Sequence, residues 1–302
     1  MISLGIDIGT TSICAVLYDL TEDKIIKSLS VPNSFINTGS YLQDPDRIVS
    51  LAKELLKELL MEFKAWAGEH EARNIRKPAG VGISSQMHGI LYTDRTGRAV
   101  SPLYTWKNED GNQRYRDGLT YARYLVKETE LPFYTGYGSV THFYLQENQQ
   151  IPDEAVAFVG IGDYVAMRLT GSRKAVVHKT MAASFGGYHM AEGRFELDKL
   201  AAAGVDISCY PAVAREEGQA VGTVVMEQTA VLRPGEPLNR KRYRFSARWE
   251  IIRPVFWGLS KTRNTASASM WVPVPRCRFT AANGIRRQEL ISAPGLIMVI
   301  YM

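Results

Sequence analysis

Asp7 lies inside an apolar run, Ile2 to Ile8, and is followed at once by Gly9, Thr10 and Thr11. A carboxylate within a buried strand is costly unless it meets a cation or hydrogen-bond donors. A glycine in the next turn lets backbone N–H groups approach an anion, and two threonines add hydroxyl donors. Together these residues suit a nucleotide phosphate and its Mg²⁺, with Asp7 on the metal side. The bland alternative is a hairpin turn carrying an exposed aspartate. The placement between two apolar strands, Ile2 to Ile8 and Ser12 to Tyr18, favours the phosphate reading.

One further group could bind a molecule rich in hydroxyls. Gln86, Met87 and His88 close the apolar stretch Gly80 to Ser85. A strand end with Gln and His offers both donors and acceptors to hydroxyl groups. Trp106 is followed by Lys107, Asn108, Glu109 and Asp110, and a tryptophan beside charges is also common as a surface cap.

Several elements must position these groups. Ile2 to Ile8, Ser12 to Tyr18 and Lys24 to Val31 are closely spaced apolar runs without helical period, which predicts an antiparallel meander. Asp44-Pro45 is a helix start, with an N-cap carboxylate and proline at the first position. Ile48, Leu51, Leu55, Leu59 and Phe63 then recur at three- and four-residue steps and form one apolar stripe. Gly80 to Ser85 predicts a strand, and Ile90 to Tyr92 begins another. Asp110 to Lys127 reads as an amphipathic helix, Ala155 to Gly162 as a buried strand and Tyr164 to Leu169 as a helix. This order predicts an α/β ribonuclease-H-like core with insertions.

Bulk properties narrow the class. A chain of 302 residues with 45% apolar residues can build a sizeable core. No run approaches the ~18 apolar residues of a membrane span. Cys14, Cys209 and Cys277 are few, widely spaced and odd in number, which favours a reducing cytoplasm over a disulfide framework or a zinc site. Charge is uneven. Residues 239–302 carry 12 Lys/Arg against 2 Asp/Glu, whereas residues 1–238 have a net charge of −5.

The phosphate segment, Gly5 to Ser12, resembles the first phosphate loop shared by actin, Hsp70 chaperones and sugar kinases. Ile83-Ser84-Ser85-Gln86-Met87-His88-Gly89 closely resembles the S-x-Q-M-H-G segment of FGGY-type carbohydrate kinases. Thr105 to Gly111 resembles the family's W-x-D-x-R-type segment in looser form. Gly162 to Gly171 resembles its D-Y-[LV]-x-x-x-L-T-G helix. His178 to Ser184 resembles the S-x-x-[NT]-A-S segment near the active cleft, and Asp198-Lys199-Leu200 to Gly204-Val205 also agrees. The order is most similar to sedoheptulokinase relatives, then to xylulokinases.

The resemblance implies an actin/hexokinase-like ATPase fold and an ATP-dependent, cytoplasmic carbohydrate kinase acting on a ketose such as sedoheptulose or xylulose. It implies that Asp7, Gly9, Thr10 and Thr11 serve Mg²⁺ and the phosphates. It also implies that Gln86, Met87, His88, Trp106 and a member of the Asn108–Asp110 group serve the sugar. Expected partners are the sugar and ATP, with no membrane and no specific nucleic acid. A homo-oligomer is compatible with the intact family. A non-catalytic sugar- or nucleotide-binding half-domain is the competing function.

The resemblance covers about residues 1–235. A kinase of this class continues with G-D-[NQ]-x-A, whose aspartate is the general base for the sugar hydroxyl, and then with a second phosphate loop. Neither string occurs in this chain. The division expected is therefore an N-terminal sugar-binding domain over 1–238 and an aberrant, truncated basic tail over 239–302. That tail reads as the out-of-frame start of the second domain. Permitted codons for Trp249 to Gly258 yield G-D-N-Q-A-S-F-L-G when read from the third base. Met270 to Pro275 yields G-T-G-S in the same frame. A nucleic-acid role for the tail is disfavoured because Trp249, Trp257 and Trp271 follow no ordered stacking pattern. Sequencing the gene across codons 230–260 is expected to reveal a single-base insertion or deletion whose repair restores G-D-N-Q-A. A gene in which no such repair exists overturns the reading.

Overall fold

The computed structural model describes residues 1–36, 39–214, 220–225 and 248–252. Strands β1 (Ile2–Ile8), β2 (Ser12–Asp19) and β3 (Lys24–Pro32) form the expected antiparallel meander. A two-residue strand, β4 (Leu42–Gln43), leads into the long helix α1 (Pro45–Glu69). Asp44 caps that helix by accepting from the amides of Asp46 and Arg47 at 2.9 and 3.1 Å. Strand β5 (Gly80–Ser85) then returns beside β1 in parallel.

The sheet centre is therefore β1, antiparallel to β2 on one side and parallel to β5 on the other. Ile2, Leu4, Ile6 and Ile8 of β1 are buried, as are Ile13, Ala15 and Leu17 of β2. Helix α1 packs over β2 and β3. Its buried face is wider than the expected stripe: Val49, Ala52, Leu56 and Leu60 are buried along with Ile48, Leu55, Leu59 and Phe63, while Leu51 is half-buried. The reason is a second neighbour, the helix Ile161–Thr170, which lies against α1. Tyr164 of that helix donates to Asp46 at 2.7 Å and accepts from the Ala99 amide at 3.1 Å.

After β5 come β6 (Leu91–Thr93) and β7 (Leu103–Tyr104). Strand β7 pairs with β4, and β6 pairs with β8 (Ala157–Val159) in a separate two-stranded sheet. The expected helix over Asp110 to Lys127 is not formed as such. Asp110–Asn112 makes one 3-10 turn, and Arg114 bridges to Thr120. Asp117 and Gly118 hold positive φ (54° and 76°), which breaks a helix and closes a tight turn. Helix α2 (Tyr121–Thr129) starts only at Thr120, whose hydroxyl accepts from the Arg123 amide. Helix α3 (Gly138–Glu147) follows. The expected strand over Ala155 to Gly162 shortens to β8, because Gly160 already begins α4 (Ile161–Thr170).

The remaining described elements are short: β9 (Val176–Val177), α5 (Lys179–Phe185), the hairpin β10 (Tyr188–His189) and β11 (Arg194–Phe195), α6 (Leu197–Ala202), and β12 (Ala212–Val213), which pairs with β9. Two further strands, β13 (Ala220–Val225) and β14 (Arg248–Ile252), extend the main sheet, whose order is β13-β14-β5-β1-β2-β3. Of the segment 239–302, only the backbone of β14 belongs to the described residues. The sequence-level expectations for the rest of that segment lie outside them. Among the described residues, no helix is long and apolar enough to cross a membrane.

One buried polar link ties β6, α3 and the loop at Asp206 together. His142 of α3 is 0% exposed. Its Nε2 lies 2.7 Å from the Asp206 carbonyl, which only accepts, so this nitrogen carries the proton. Nδ1 then accepts from the Tyr92 hydroxyl at 2.8 Å. Burial pushes the His142 pKa down, with the Asp206 carbonyl acting in the opposite direction. A base whose folded-state pKa is depressed takes up protons first in the unfolded state, below about pH 6.5. Its contribution is therefore full above that value and is lost as pH falls below it. Urea denaturation at pH 7.5 and 5.5 checks this: the stability gap between wild type and His142→Gln is expected to narrow at the lower pH.

Candidate functional site

The site is built where β1 ends. Asp7 faces Cys14 on β2 and Ser84 on β5 in the sheet register, and its side chain is half-buried. Burial raises its pKa above the ordinary carboxylate range, and a hydrogen bond with Ser84 acts in the opposite direction. The chain then turns through Gly9, Thr10 and Thr11. The Gly9 amide donates to the Ser12 carbonyl at 2.9 Å. A Cβ on Gly9 would sit 2.9 Å from that same carbonyl oxygen, and 4.0 Å from Asp7 Oδ2, so glycine keeps the turn tight above the carboxylate.

All three carbonyls of this turn are held from behind. Asn33 Nδ2 donates to Gly9 O at 2.9 Å, and the Asn33 amide donates to Thr11 O at 2.9 Å. Gln43, which is 0% exposed, donates through Nε2 to Thr10 O at 2.7 Å.

A closed ring of hydrogen bonds follows, and chemistry fixes its polarity. A backbone carbonyl only accepts, so the Gln43 amide must turn its NH₂ to Thr10 O. Gln43 Oε1 therefore accepts from Gln86 Nε2, at 2.8 Å. Gln86 is then obliged to turn Oε1 to the Thr10 hydroxyl, at 3.1 Å. Trp106 Nε1 only donates, and it donates to Thr10 Oγ1 at 3.0 Å. Thr10 thus accepts from Trp106 and gives its own proton to Gln86.

His88 follows one turn away. It holds a positive φ of 68°. Its amide donates to Ser184 Oγ at 3.1 Å, and its Nδ1 lies 2.6 Å from the Ser184 carbonyl. Nδ1 is therefore the protonated nitrogen, and Nε2 of the neutral ring is an acceptor. Burial lowers the His88 pKa, which favours that neutral form, while the Ser184 carbonyl favours the charged one. The ring stacks on Tyr137 with centroids 4.5 Å apart and planes 8° apart. A Cβ on Gly89 would meet Tyr104 O at 2.6 Å, so β7 passes too close for any side chain there.

Trp106 is seated against backbone. Gly136 has φ +79°, and a Cβ on it would lie 2.1 Å from Trp106 O. The Lys107 ammonium lies over both the Trp106 and Tyr41 rings, at 5.6 and 5.7 Å from their centroids. The three residues competing for the acidic role differ in placement. Asn108 is 2% exposed, donates to Asp110 Oδ2 at 2.8 Å and accepts from the Asp110 amide at 3.1 Å. Glu109 is exposed, and Asp110 is half-buried with Gln113 donating to its Oδ1 at 3.2 Å. Asn108 thus orients the Asp110 carboxylate.

The structure brings Thr10, Gln86 and Trp106 into direct contact, with Asp7 and His88 at neighbouring strand ends. Thr11 is exposed on the turn, and Met87 contributes its carbonyl to the Gly89 amide at 2.8 Å. Sequence reasoning missed Gln43, Asn33, Tyr137 and Gly136. Gln43 carried one faint signal, a polar residue wedged between Leu42 and the helix cap Asp44. Tyr137 lies between two glycines, Gly136 and Gly138, which marks a close approach. A second group of possible ligands, His189, Glu192 and Glu196, converges on the β10–β11 hairpin. Arg194 lies in ion-pair range of both glutamates there, which makes an ion-pair cluster.

Comparison with known proteins identifies the family and the fold. Residues 2–233 match the model of the FGGY family of carbohydrate kinases, N-terminal domain. The chain belongs to that family. It is 27% identical over 258 residues to sedoheptulokinase of Mus musculus, covering 73% of this chain and 48% of the relative. It is 24% identical to gluconokinase of Bacillus licheniformis, covering 67% and 38%. Xylulose kinase from Rhodospirillum rubrum superposes with a TM-score of 0.59 at 23% identity, over 75% of this chain and 46% of that one. Plasmodium falciparum glycerol kinase with ADP superposes with a TM-score of 0.61 at 17% identity, over 84% and 48%. The fold is that of the actin/hexokinase-like ATPases. The chain spans about half the length of the sedoheptulokinases it matches.

Replacing Gln43 tests the ring itself. Gln43→Leu leaves the Thr10 carbonyl and the Gln86 amide without their buried partner, a loss of roughly 1–3 kcal/mol. Chemical denaturation of the purified chain is expected to show that loss, with a shift in the Trp106 emission that Trp106→Phe abolishes.

Proposed function

We propose that this chain is the sugar-binding half of an ATP-dependent carbohydrate kinase that acts on a ketose such as sedoheptulose or xylulose. One observation carries the reading. Thr10 of the phosphate turn is hydrogen-bonded both to Gln86 and to Trp106, the residues suited to hydroxyl groups and to a sugar face. A terminal phosphate at the turn and a sugar hydroxyl at Gln86 would then be neighbours. Positioning of that kind is most of what phosphoryl transfer requires.

In this reading Gly9, Thr10 and Thr11 hold the phosphates. Gln86, Met87, His88 and Trp106, with Asp110 held by Asn108, hold the sugar. The neutral His88 offers Nε2 as an acceptor to a hydroxyl. The donor set at Asp7 fits Mg²⁺, a hard cation that prefers carboxylate, hydroxyl and water oxygens. Burial has left Asp7 with a raised pKa and the Ser84 hydroxyl to oppose it, and a cation would supply the compensating charge. Bound there, Mg²⁺ would neutralise phosphate charge.

Transfer also needs a base for the sugar hydroxyl. The family's G-D-[NQ]-x-A string is absent from these 302 residues. We therefore propose that the 302-residue chain binds its ligands but turns over negligibly. Calorimetry with sedoheptulose, xylulose and gluconate, beside a coupled ADP-release assay, tests both statements. Millimolar binding of one sugar, weakened at least tenfold by Gln86→Leu or Trp106→Phe, is expected together with no measurable ADP release. Absence of sugar binding sinks the reading, and turnover at ordinary kinase rates sinks the proposal of inactivity.

A further inference from the structure

The ring around Thr10 has a consequence beyond the placing of two ligands side by side, and it rests on the reading above. The Thr10 hydroxyl owns one proton. That proton is committed to Gln86 Oε1, and one lone pair is committed to Trp106 Nε1. A phosphate oxygen is an acceptor at neutral pH. It can engage this hydroxyl only by taking the proton away from Gln86.

Gln86 cannot answer by flipping its amide. A flip would turn Gln86 Oε1 to Gln43 Oε1, and Gln43 cannot flip in turn because its NH₂ is held by Thr10 O. When the proton moves, Gln86 Oε1 is left half-buried without its donor. A hydroxyl group of a bound sugar is the kind of donor that can restore the bond.

We infer that the Thr10 hydroxyl couples the two sites: phosphate bound at the Gly9–Thr11 turn releases Gln86 Oε1 to accept from a sugar hydroxyl, so each ligand tightens the other. The structure supplies one state of the coupling, the hydroxyl proton directed to Gln86; the other is the same proton directed to phosphate. Occupied phosphate and occupied sugar sites favour the same state. One exchanged hydrogen bond corresponds to roughly a three- to tenfold change in affinity. Linkage makes the effect equal in both directions. Gln43 acts as a positioning residue, since it alone prevents the amide flip that would uncouple the pair.

The test uses the full 302-residue chain. Sedoheptulose and xylulose are titrated by calorimetry with and without Mg²⁺ and the non-hydrolysable ATP analogue AMP-PNP, and AMP-PNP is titrated with and without the sugar. Wild type is expected to show three- to tenfold tighter sugar binding in the presence of Mg-AMP-PNP, and the same factor in reverse. Thr10→Ser keeps a hydroxyl and is expected to keep the coupling. Thr10→Val has nearly the same shape without the proton and is expected to lose it while still binding the sugar. Two ligands that bind wild type without affecting one another overturn the inference and leave the kinase reading intact. Coupling that persists in Thr10→Val overturns it too, since charge or closure would then carry the effect. Binding of neither ligand overturns both the inference and the kinase reading. Should Thr10→Val fail to fold, the wild-type and Thr10→Ser titrations decide the matter: coupling must be present in both.

Discussion

A single backbone oxygen, the carbonyl of Thr10, sets the orientation of everything around it. A carbonyl has no proton to give, so the buried Gln43 amide must present its NH₂ there, and each partner along the ring inherits its role from that one. Amide groups are otherwise free to exchange their ends at little cost. Here the exchange would place two oxygens face to face in a half-buried setting, where an unmade bond is expensive. The rest of the site depends on this. Trp106 is aimed by the hydroxyl it donates to, and Gln86 is aimed by two partners at once. The Gly136 backbone passes so close to the Trp106 backbone that a side chain at 136 would collide with the Trp106 carbonyl.

The sheet makes such an arrangement available. Strand β1 lies between an antiparallel and a parallel neighbour, so its C-terminal end meets both the turn into β2 and the end of β5. Phosphate-type residues at the first and hydroxyl-type residues at the second are thereby brought within one hydrogen bond of each other. The segments that complete the site come from farther along the chain: β4 supplies Gln43, the stretch after β7 supplies Trp106, and α5 supplies Ser184. The apolar face of α1 holds the sheet under the site, and Tyr164 fastens α4 to the first turn of that helix.

The legible parts of the sequence were those with a local signature. The meander, the capped start of α1 and the strand before Gln86 each follow from periodicity or from a single capping dipeptide. Asp7, Gly9 and Gln86 stood out because their residue types clash with an apolar strand unless they serve a ligand. Gln43 gave only a faint local signal, since its importance comes from a carbonyl 33 residues away. The helix expected over Asp110 to Lys127 failed for a local reason that periodicity conceals. Asp117-Gly118 prefers positive φ, and Thr120 caps the helix that follows it. The acid beside Trp106 stayed ambiguous in sequence because burial separates Asn108, Glu109 and Asp110, and burial is a property of the fold.

The treatment of the turn between β1 and β2 has one more effect. With Gly9, Thr10 and Thr11 each tethered through their carbonyls by Asn33 or Gln43, the freezing of this loop is completed when the domain folds. A ligand arriving there need not immobilise a floppy segment, a cost that commonly erodes affinity. With those oxygens turned inward, the loop also has fewer acceptors to set against an incoming anion. No lysine or arginine lies in the turn itself, so its character is set by backbone amides, two threonine hydroxyls and the Asp7 carboxylate beneath them.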